Sequence, residues 1–251
     1  LAQISGLTIG RDLFVAFSPE RVFTGRVFQD LRRYPKLIGG VEIESAKRAR
    51  ELYEATLDFD ERGDLPDPNG VWDLGSADAA EMAKLAETTY RDVNIALANQ
   101  FARYADSVGI DIYNVISAAN SQPFSHIHQP GIAVGGHCIP VYPRFYLWND
   151  PDASVVSAAR AANSAMPRYA VDLLQADYGS LDGARVAVLG AAYRGGVKET
   201  AFSGVFPTVA ALERGGAIAT VHDPLFDEIE LRALGFGSYE FGEKIDAVIV
   251  Q

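Results

Sequence analysis

The chain has 251 residues, enough to bury a sizeable core, and its length alone predicts one or two domains. Hydrophobic residues make up 48% and charged residues 22%, the composition of an ordinary globular protein. The formal net charge of -11 argues against nucleic-acid and anionic-membrane partners, because both present phosphate groups to a repelling surface. A single phosphorylated ligand stays compatible, since a helix N-terminus or a few arginines can override the global field.

Cysteine usage and the lack of targeting signals predict a cytoplasmic protein. The single cysteine, Cys138, forms no intramolecular disulfide, and no apolar run approaches the roughly 20 residues needed to span a bilayer. Leu1 begins no signal peptide. Because the chain starts without Met and stops on the strand-like run Asp246–Gln251, we expect a fragment of a longer protein.

The first third of the chain predicts short strands and one helix. Leu13–Phe17 is a run of the buried-strand type, closed by Ser-Pro. Residues 43–57 have helical spacing with favourable Glu-Lys and Glu-Arg neighbours. The stretch 58–75 is rich in Asp, Pro and Gly and predicts a loop or linker.

The strongest secondary-structure signal predicts a long helix over residues 78–108. Asp78 and Glu81 form a capping-box pattern, and Gly109 supplies the stop. The apolar positions of this helix recur every three to five residues and predict a core or interface stripe. They are Met82, Leu85, Tyr90, Val93, Leu97, Phe101, Tyr104 and Val108. A stripe of this length favours a homodimer interface.

The rest of the chain changes from helical to alternating patterns. The predicted elements are a helix over 112–119, a Pro/Gly-rich loop over 120–150, a helix from about 153 that is interrupted or kinked near Pro167, a strand over 185–190, a helix over 206–215 and a strand over 217–221. Strand, Gly-rich turn, helix, strand is the opening of a doubly wound α/β domain. The turn Gly190–Gly196 fits neither G-x-G-x-x-G nor a Walker A loop, so by itself it is weak support for phosphate binding.

The motif with most chemical content is Val134-Gly-Gly-His-Cys-Ile-Pro140. Its two glycines let the backbone approach a ligand closely, and Pro140 stiffens the exit from the turn. The thiol of Cys138 is therefore held in a tight loop, where the neighbouring His137 favours a reactive thiolate. The alternatives are an inert buried thiol and a purely structural histidine.

Several motifs together resemble one family. They are Phe17-Ser-Pro-Glu-Arg21 with Gly25, Ala80-Glu-Met-Ala-Lys-Leu85, Tyr90-Arg-Asp-Val-Asn-Ile-Ala96, Pro130-Gly131, Gly135-Gly-His-Cys-Ile-Pro140, and Val188-Leu-Gly190 with Asp223-Pro224. In this order they are similar to the UDP-glucose/GDP-mannose dehydrogenase family, from about residue 5 to the last residue. The Ser-Pro-Glu-Arg wording looks more like the branch that acts on UDP-N-acetylmannosamine than like UDP-glucose enzymes.

The resemblance implies an α/β fold class with three parts. Residues 1–75 would be the end of an NAD-binding Rossmann domain, and 76–180 a central helical dimerisation region that contains the long helix and the Cys loop. Residues 181–251 would be a truncated, Rossmann-like domain that binds the UDP part of the substrate. The expected partners are a UDP-sugar and a second copy of the chain, with no nucleic acid and no membrane.

The resemblance also implies an NAD-dependent, four-electron oxidation of a sugar C6 alcohol to the uronate. Cys138 would carry the thiohemiacetal and thioester, Lys84 with Thr88 would stabilise the oxyanions, and Glu20 would activate water or transfer a proton. Glu20 and Cys138 would face the NAD cofactor, and no metal is expected. The substrate-binding residues would be Arg21, Arg91, Asn94, Gly135, Gly136, His137 and Tyr193.

Some positions depart from the family pattern. Thr88 stands where the family has Asn, Tyr142 where it has Asp, Phe124 near a usual basic residue, and Lys198–Ala201 lacks the usual Arg. His126 and His128 would either replace lost polar contacts or be ordinary loop histidines. Without the family resemblance, Lys84 would be interpreted as a solvated helix lysine and Glu20 as a surface carboxylate.

Alternatives are therefore open for both the substrate and the activity. UDP-N-acetylglucosamine and UDP-glucose are the nearest alternatives to UDP-N-acetylmannosamine. A different class is a dimerising, nucleotide-sugar-binding fragment without catalysis. Since no G-x-G-x-x-G loop is present, we expect residues 1–251 alone not to reduce NAD⁺.

Overall fold

The computed structural model describes residues 2–251 and divides the chain into two compact units, one reaching to Glu87 and one running from Thr88 to Gln251. Each unit contains a sheet with parallel strand pairs and helices packed on it, so the fold class is α/β as predicted. The domain borders expected after residues 75 and 180 stay predictions.

The first unit is a small α/β layer. Its elements are α1 (Ala2–Ser5), β1 (Ala16–Phe17), α2 (Val27–Arg33), β2 (Lys36–Gly40), α3 (Ile43–Thr56) and β3 (Val71–Asp73). The sheet order is β1-β2-β3, with β1 antiparallel and β3 parallel to β2. All of β2 is buried, and α3 crosses over from β2 to β3 as in a βαβ unit.

Two predictions for this unit need correction. The strand over Leu13–Phe17 is shortened to Ala16–Phe17, because the amide of Gly10 donates to the carbonyl of Leu13 at 2.8 Å and closes a turn. The predicted linker 58–75 contains β3, whose short apolar run becomes a strand by pairing with β2. The predicted helix over 43–57 is confirmed as α3.

The long helix α4 runs from Ala77 to Val108 and confirms the predicted element. Its N-terminus differs from the expectation: the hydroxyl of Ser76 accepts from the amide of Ala79 at 3.1 Å, so Ser76 is the capping side chain and Asp78 lies in the first turn. At the other end, the amide of Ile110 donates to the carbonyl of Ala105 at 2.9 Å, and the helix stops at Gly109 as predicted.

The two faces of α4 are unlike each other. Small residues fill the buried face, namely Ala96, Ala98, Ala102 and Ala105. The large apolar residues predicted as core or interface lie mostly outside, and Tyr104 is 69% exposed. The core of the second unit therefore uses the alanine face of α4, while Leu97, Phe101, Tyr104 and Val108 stay accessible along the other face.

The other helices of the second unit's first half are α5 (Ile112–Ala119), α6 (Tyr142–Asn149) and α7 (Ser154–Tyr178). The predicted loop 120–150 contains α6, which begins with Pro143 near its N-terminus, a position where proline is tolerated. Helix α7 is not interrupted at Pro167, which is buried within it. Among residues 2–251, no helix is both long and apolar enough to cross a membrane.

The second half of this unit is a Rossmann-like layer. Its elements are β4 (Arg185–Leu189), α8 (Val205–Arg214), β5 (Ile218–His222), α9 (Glu228–Ala233), β6 (Gly237–Ser238) and β7 (Ala247–Val250). All pairs are parallel, in the order β6-β5-β4-β7. This is the order of a mononucleotide-binding half, in which ligands bind outside the carboxyl ends of the strands. Apolar side chains of β4, β5 and α8 form its core.

Candidate active site

Cys138 lies half-buried in the thiol loop, defined as residues 134–140. Its carbonyl oxygen accepts from the amides of Val141 at 3.1 Å and Tyr142 at 3.0 Å, so the loop turns directly into α6. Burial, together with the nearby Cys138, raises the pKa of Tyr142. The phenol therefore stays protonated at neutral pH beside the thiol, where a carboxylate would be charged.

The two glycines of the thiol loop are required by close packing. A Cβ atom on Gly135 would lie 2.6 Å from Cβ of Tyr193, and Gly136 has a φ of +91° with Cε2 of Tyr193 only 3.1 Å from an added Cβ. The amide of Gly136 donates to the carbonyl of Ala201 at 2.8 Å. The thiol loop thus lies on the loop that follows β4, and three predicted substrate residues come together there.

His137 is held by the carboxylate of Glu199, which belongs to the loop that follows β4. Its Nε2 lies 3.3 Å from Oε2 of Glu199, while Oε1 of Glu199 accepts from the amide of Ala201 at 2.9 Å. The amide of Ala201 and the imidazole lower the pKa of Glu199. This arrangement orients the exposed imidazole towards Glu199 and fits a structural histidine better than a base for Cys138.

A cavity of about 770 Å³ opens beside the thiol loop, at the carboxyl ends of β4 and β5. Its size is typical of small-molecule sites. The rings of His222 and Phe241 meet edge to face with centroids 4.5 Å apart. Arg194 also lines the cavity and offers a guanidinium group. Such a cavity combines aromatic surface for a base with a cation for a phosphate.

Asp223, at the end of β5, binds the backbone of the loop that follows β4 and lines the cavity. Its Oδ2 accepts from the amides of Ala191 at 2.8 Å and Ala192 at 3.0 Å, and its Oδ1 accepts from Leu225 at 2.8 Å. Burial works against the charge, but these amides lower the pKa of Asp223. In a dinucleotide-binding loop, amides at this place face a pyrophosphate. The amides of Ala191 and Ala192 are therefore bonded within the protein and do not contact a pyrophosphate, whether of NAD or of a UDP-sugar.

The first unit brings together two of the predicted catalytic residues. Lys84 is buried on α4, and its Nζ donates to the main-chain carbonyl of Glu20 at 2.5 Å. The carboxylate of Glu20 accepts from the amides of Arg21 at 2.7 Å and Val22 at 3.1 Å. Lys84 is thus a buried cation and not the solvated lysine of the simplest interpretation.

The Glu20 carboxylate is ionised near neutral pH. Burial works to raise its pKa, but the amides of Arg21 and Val22 and the ammonium of Lys36, 3.5 Å away, lower it overall. A lowered pKa makes Glu20 a weak proton acceptor but a good hydrogen-bond acceptor for water. The predicted substrate residue Arg21 is held by Glu87, with Nε 2.9 Å from Oε2.

The remaining predicted residues lie on α4 in the second unit. Thr88 is buried, and Asn94 binds the backbone ahead of the thiol loop: its Nδ2 donates to the carbonyl of His126 at 2.7 Å and its Oδ1 accepts from the amide of His128 at 2.8 Å. Burial and the charge of Arg91 lower the pKa of His128. Arg91 and Asn94, the two predicted substrate-binding residues of α4, therefore lie against the segment 126–128.

The motifs did not identify Asp223 as a functional residue, although Asp223-Pro224 is part of the resemblance. The signal was its place at the end of a predicted parallel strand, where ligand-facing residues collect. Asn99 and Asn163, which are fully buried amides, were not predicted either. The available signal for Asn99 was an amide side chain among the alanines of the long helix.

The fold is similar to that of solved nucleotide-sugar dehydrogenases. Residues 78–165 match the central domain of the UDP-glucose/GDP-mannose dehydrogenase family. The resemblance to this family that the motif order predicted is confirmed.

Several proteins of known name are similar to this chain over most of its length. A UDP-N-acetyl-D-mannosamine dehydrogenase of Pyrococcus horikoshii is 38% identical over 232 residues, which cover 89% of this chain and 52% of that protein. The solved structure of UDP-D-ManNAc dehydrogenase from Pyrococcus horikoshii matches with a TM-score of 0.86 and 33% identity, covering 99% of this chain and 57% of that chain. For the UDP-N-acetyl-mannosamine dehydrogenase of Staphylococcus aureus the TM-score is 0.81 at 31% identity, covering 99% and 56%. The chain spans about half the length of the curated relatives it matches.

Proposed function

We propose that the protein oxidises the C6 alcohol of a UDP-N-acetylhexosamine to the uronate, with UDP-N-acetylmannosamine as the favoured substrate. The two strongest supports are the match of residues 78–165 to the family's central domain and the names of the relatives, which are UDP-N-acetyl-D-mannosamine dehydrogenases. NAD is the proposed oxidant and would accept the two hydrides. UDP-N-acetylglucosamine and UDP-glucose stay as alternative substrates.

One observation carries the proposal: a thiol that follows two closely packed glycines lies next to an open cavity of nucleotide size within a single unit. The thiol loop packs on Tyr193 at the cavity wall, and Gly135 lines both features. A substrate whose nucleotide occupied the cavity would have its sugar near the loop. A merely structural thiol requires neither the two close glycines nor the cavity.

The covalent steps follow from the chemistry of the thiol. The thiolate of Cys138 adds to the carbonyl carbon of the C6 aldehyde, the carbon–sulfur bond forms, and the former carbonyl oxygen takes up a proton. Transfer of a hydride from C6 of this adduct to the proposed NAD⁺, with loss of the hydroxyl proton, would give a thioester. Water then attacks the thioester carbon, the carbon–sulfur bond breaks, and the thiolate leaves with the carboxylate as product.

Lys84 and Glu20, which belong to the first unit, are proposed to assist the covalent steps. The ammonium of Lys84 would stabilise the negative oxygen that develops during addition and hydrolysis, and Thr88 would add a hydroxyl donor. Glu20 would hold the attacking water through its carboxylate. Because its pKa is lowered, it is better suited to orienting this water than to removing its proton completely.

A binding module without catalysis is the second candidate, and Tyr142 favours it. The protonated phenol beside Cys138 cannot accept a proton from water as a carboxylate does. A protein of this kind would bind the nucleotide sugar and dimerise but would form no uronate. The same assay separates it from the enzyme.

The experiment uses the full-length protein, a panel of UDP-sugars and NAD⁺, with NADH and uronate both measured. The proposal expects two NADH per uronate and the highest kcat/KM for UDP-N-acetylmannosamine. Cys138→Ala should lower uronate formation at least ~100-fold while substrate binding is kept, because the thiol acts in the chemical step. Ser180→Ala, in an exposed turn, is the control and should behave as wild type. Uronate formation by Cys138→Ala at the wild-type rate would exclude the covalent mechanism, and substrate binding without NADH would favour the binding module.

A further inference from the structure

A row of buried polar groups connects two helices of the second unit with the backbone in front of the thiol loop. Asp92 and Asn99 lie on α4, Asn163 and Arg160 lie on α7, and Gly131 is three residues before the loop. Asp92, Asn99 and Asn163 are each at most 2% exposed. Burying three polar side chains is costly unless each finds partners, so a row of this kind has a specific structural role.

The partners form a continuous chain of hydrogen bonds. Arg160 Nη1 lies 2.5 Å from Oδ1 of Asp92, and Nδ2 of Asn163 donates to the same oxygen at 2.8 Å. Nδ2 of Asn99 donates to Oδ1 of Asn163 at 2.9 Å. Oδ1 of Asn99 accepts from the amide of Gly131 at 2.8 Å. The ion pair thus orients one amide, and that amide orients the next.

The direction of each amide is set by its neighbour. Asp92 accepts, so Asn163 must present its NH₂ group to Asp92 and its oxygen to Asn99. Asn99 must then present its NH₂ group to Asn163, which leaves its oxygen for Gly131. An amide in the opposite orientation would face donor to donor or acceptor to acceptor at every step.

Gly131 is one of two backbone anchors in the segment that leads to the thiol. The other is Gly136, whose amide donates to the carbonyl of Ala201. Cys138 follows two residues later, half-buried at the start of the turn into α6. Residues between the anchors line the cavities on both sides of the loop, so a shift at Gly131 changes the path of the chain towards Cys138.

We propose that Asn99 and Asn163 are positioning residues for Cys138, acting through the amide of Gly131. They touch neither the thiol nor the cavity at the carboxyl ends of β4 and β5. Their role is to hold the entry of the thiol loop in one conformation, so that Cys138 has a fixed exposure and direction. The inference concerns the thiol that the proposed function uses, but its test needs neither a UDP-sugar nor NAD⁺.

The test measures the rate at which iodoacetamide alkylates Cys138 in the full-length protein, followed by mass spectrometry of the peptide that carries Cys138, the one cysteine of residues 1–251. Asn163→Leu removes the group that orients Asn99 and leaves the contact with Gly131 chemically intact. Asn99→Ser is smaller and removes the acceptor for Gly131. Loss of one buried hydrogen bond shifts a local opening equilibrium by about tenfold, so both variants should be alkylated roughly tenfold faster at temperatures well below unfolding.

The control is Asn69→Leu in the first unit. Asn69 also fixes a loop through its amide, with Nδ2 2.9 Å from the carbonyl of Arg32 and 2.8 Å from that of Asp60. This variant should lose stability without a change in the alkylation rate of Cys138. Hydrogen exchange adds a second readout: the amides of Gly131 and Gly136 should both exchange faster in the Asn163 and Asn99 variants, while the amides of β4 keep their protection.

The inference is overturned if the variants fold, Gly131 loses protection, and both Cys138 alkylation and Gly136 exchange stay at wild-type values. It is also overturned if exchange rises equally in β4, because the network then supports only global stability. If Asn163→Leu does not fold, Asn99→Ser is judged by the same criteria. Normal positioning with no uronate formation would instead count against the proposed function alone.

Discussion

Lys84 and Lys47 both lie on helices of the first unit, and they differ in burial. Lys84 is buried and bonded to the carbonyl of Glu20, whereas the side chain of Lys47 is 61% exposed beside Glu44. If Lys84 stabilises a developing oxyanion, Lys84→Ala in the full-length protein should lower kcat by at least ~100-fold. Lys47→Ala, a lysine of ordinary surface character, should leave kcat and KM unchanged.

A purely structural Lys84 would give a different pattern. The alanine variant would then melt at a lower temperature but would turn over normally below that temperature. Steady-state kinetics and thermal unfolding of the same preparations separate the two outcomes. Wild-type kcat in Lys84→Ala would remove Lys84 from the proposed mechanism.

Asp223 is a carboxylate whose charge is stabilised by three backbone amides. Its pKa is lowered in the folded protein, so its contribution to stability is fully present above the unfolded pKa of about 3.9 and is lost as the pH falls through the folded pKa. Asp223→Asn should destabilise the protein by about 1–3 kcal/mol at neutral pH, because an amide oxygen cannot accept all three bonds.

The pH dependence gives the decisive measurement. The wild type should lose stability more steeply than Asp223→Asn as the pH falls from about 5 to 2, so the two curves should converge at low pH. Asp64→Asn, a change at an exposed carboxylate beside Arg62, serves as the control and should follow the wild type at neutral pH. Parallel curves for wild type and Asp223→Asn would show that the three amides do not stabilise the charge.

At the scale of elements, long periodic segments were predictable and short ones were not. The helix α4 and the strand β4 follow from periodicity within their own residues, and both are confirmed. The strand β3 and the helix α6 escaped prediction because each is short and lies in a Pro- or Gly-rich stretch. Their stability comes from a paired strand or a packed neighbour, which local sequence does not contain.

The candidate site shows the same division. The thiol loop and Lys84 were identified from motifs, because the spacing of glycine, cysteine and lysine is itself the signal. Asp223 and Asn99 were not, because their roles depend on which backbone amides reach them in the folded chain. The hydrogen-bond partners of a buried polar side chain follow from tertiary packing and not from its sequence neighbours.

The exposed stripe of α4 carries the dimer prediction. Leu97, Phe101, Tyr104 and Val108 are all at least 40% exposed, and the adjoining groove between α4 and α7 has a volume of about 590 Å³. A second copy of the chain is the proposed partner for this face. Phe101→Glu should shift the protein from dimer to monomer in sedimentation at micromolar concentration, because it would place a charge in the contact.

Ile229→Glu is the matched control for this change. Ile229 is 78% exposed on α9 and does not belong to the stripe, so its replacement should leave the sedimentation coefficient unchanged. A wild-type protein that sediments as a folded monomer would contradict the prediction. Equal dissociation in both variants would place the contact elsewhere.

For the whole molecule, the net charge of -11 sets a condition on any nucleotide ligand. A phosphorylated substrate must be attracted by local groups, because the overall field repels it. In the Rossmann-like layer the first amides after β4 are already bonded to Asp223, so they are not available to a pyrophosphate. Arg194, at the wall of the same cavity, is the proposed phosphate contact there.

The assignment of this cavity to the UDP part of the substrate predicts that the second unit distinguishes a nucleotide sugar from a dinucleotide. UDP-N-acetylmannosamine should raise the melting temperature of residues 1–251 by several degrees at concentrations far above Kd, since a ligand at 100 times Kd adds about 2.7 kcal/mol. NAD⁺ at the same concentration should cause no shift, because the family resemblance assigns this domain to the UDP part of the substrate and residues 1–251 contain no G-x-G-x-x-G loop for a dinucleotide. Arg194→Ala should reduce the shift caused by the UDP-sugar, while Arg168→Ala, an exposed ion-paired residue of α7, should leave it intact. An equal shift with NAD⁺, or none with the UDP-sugar, would contradict the assignment of this cavity to the nucleotide sugar.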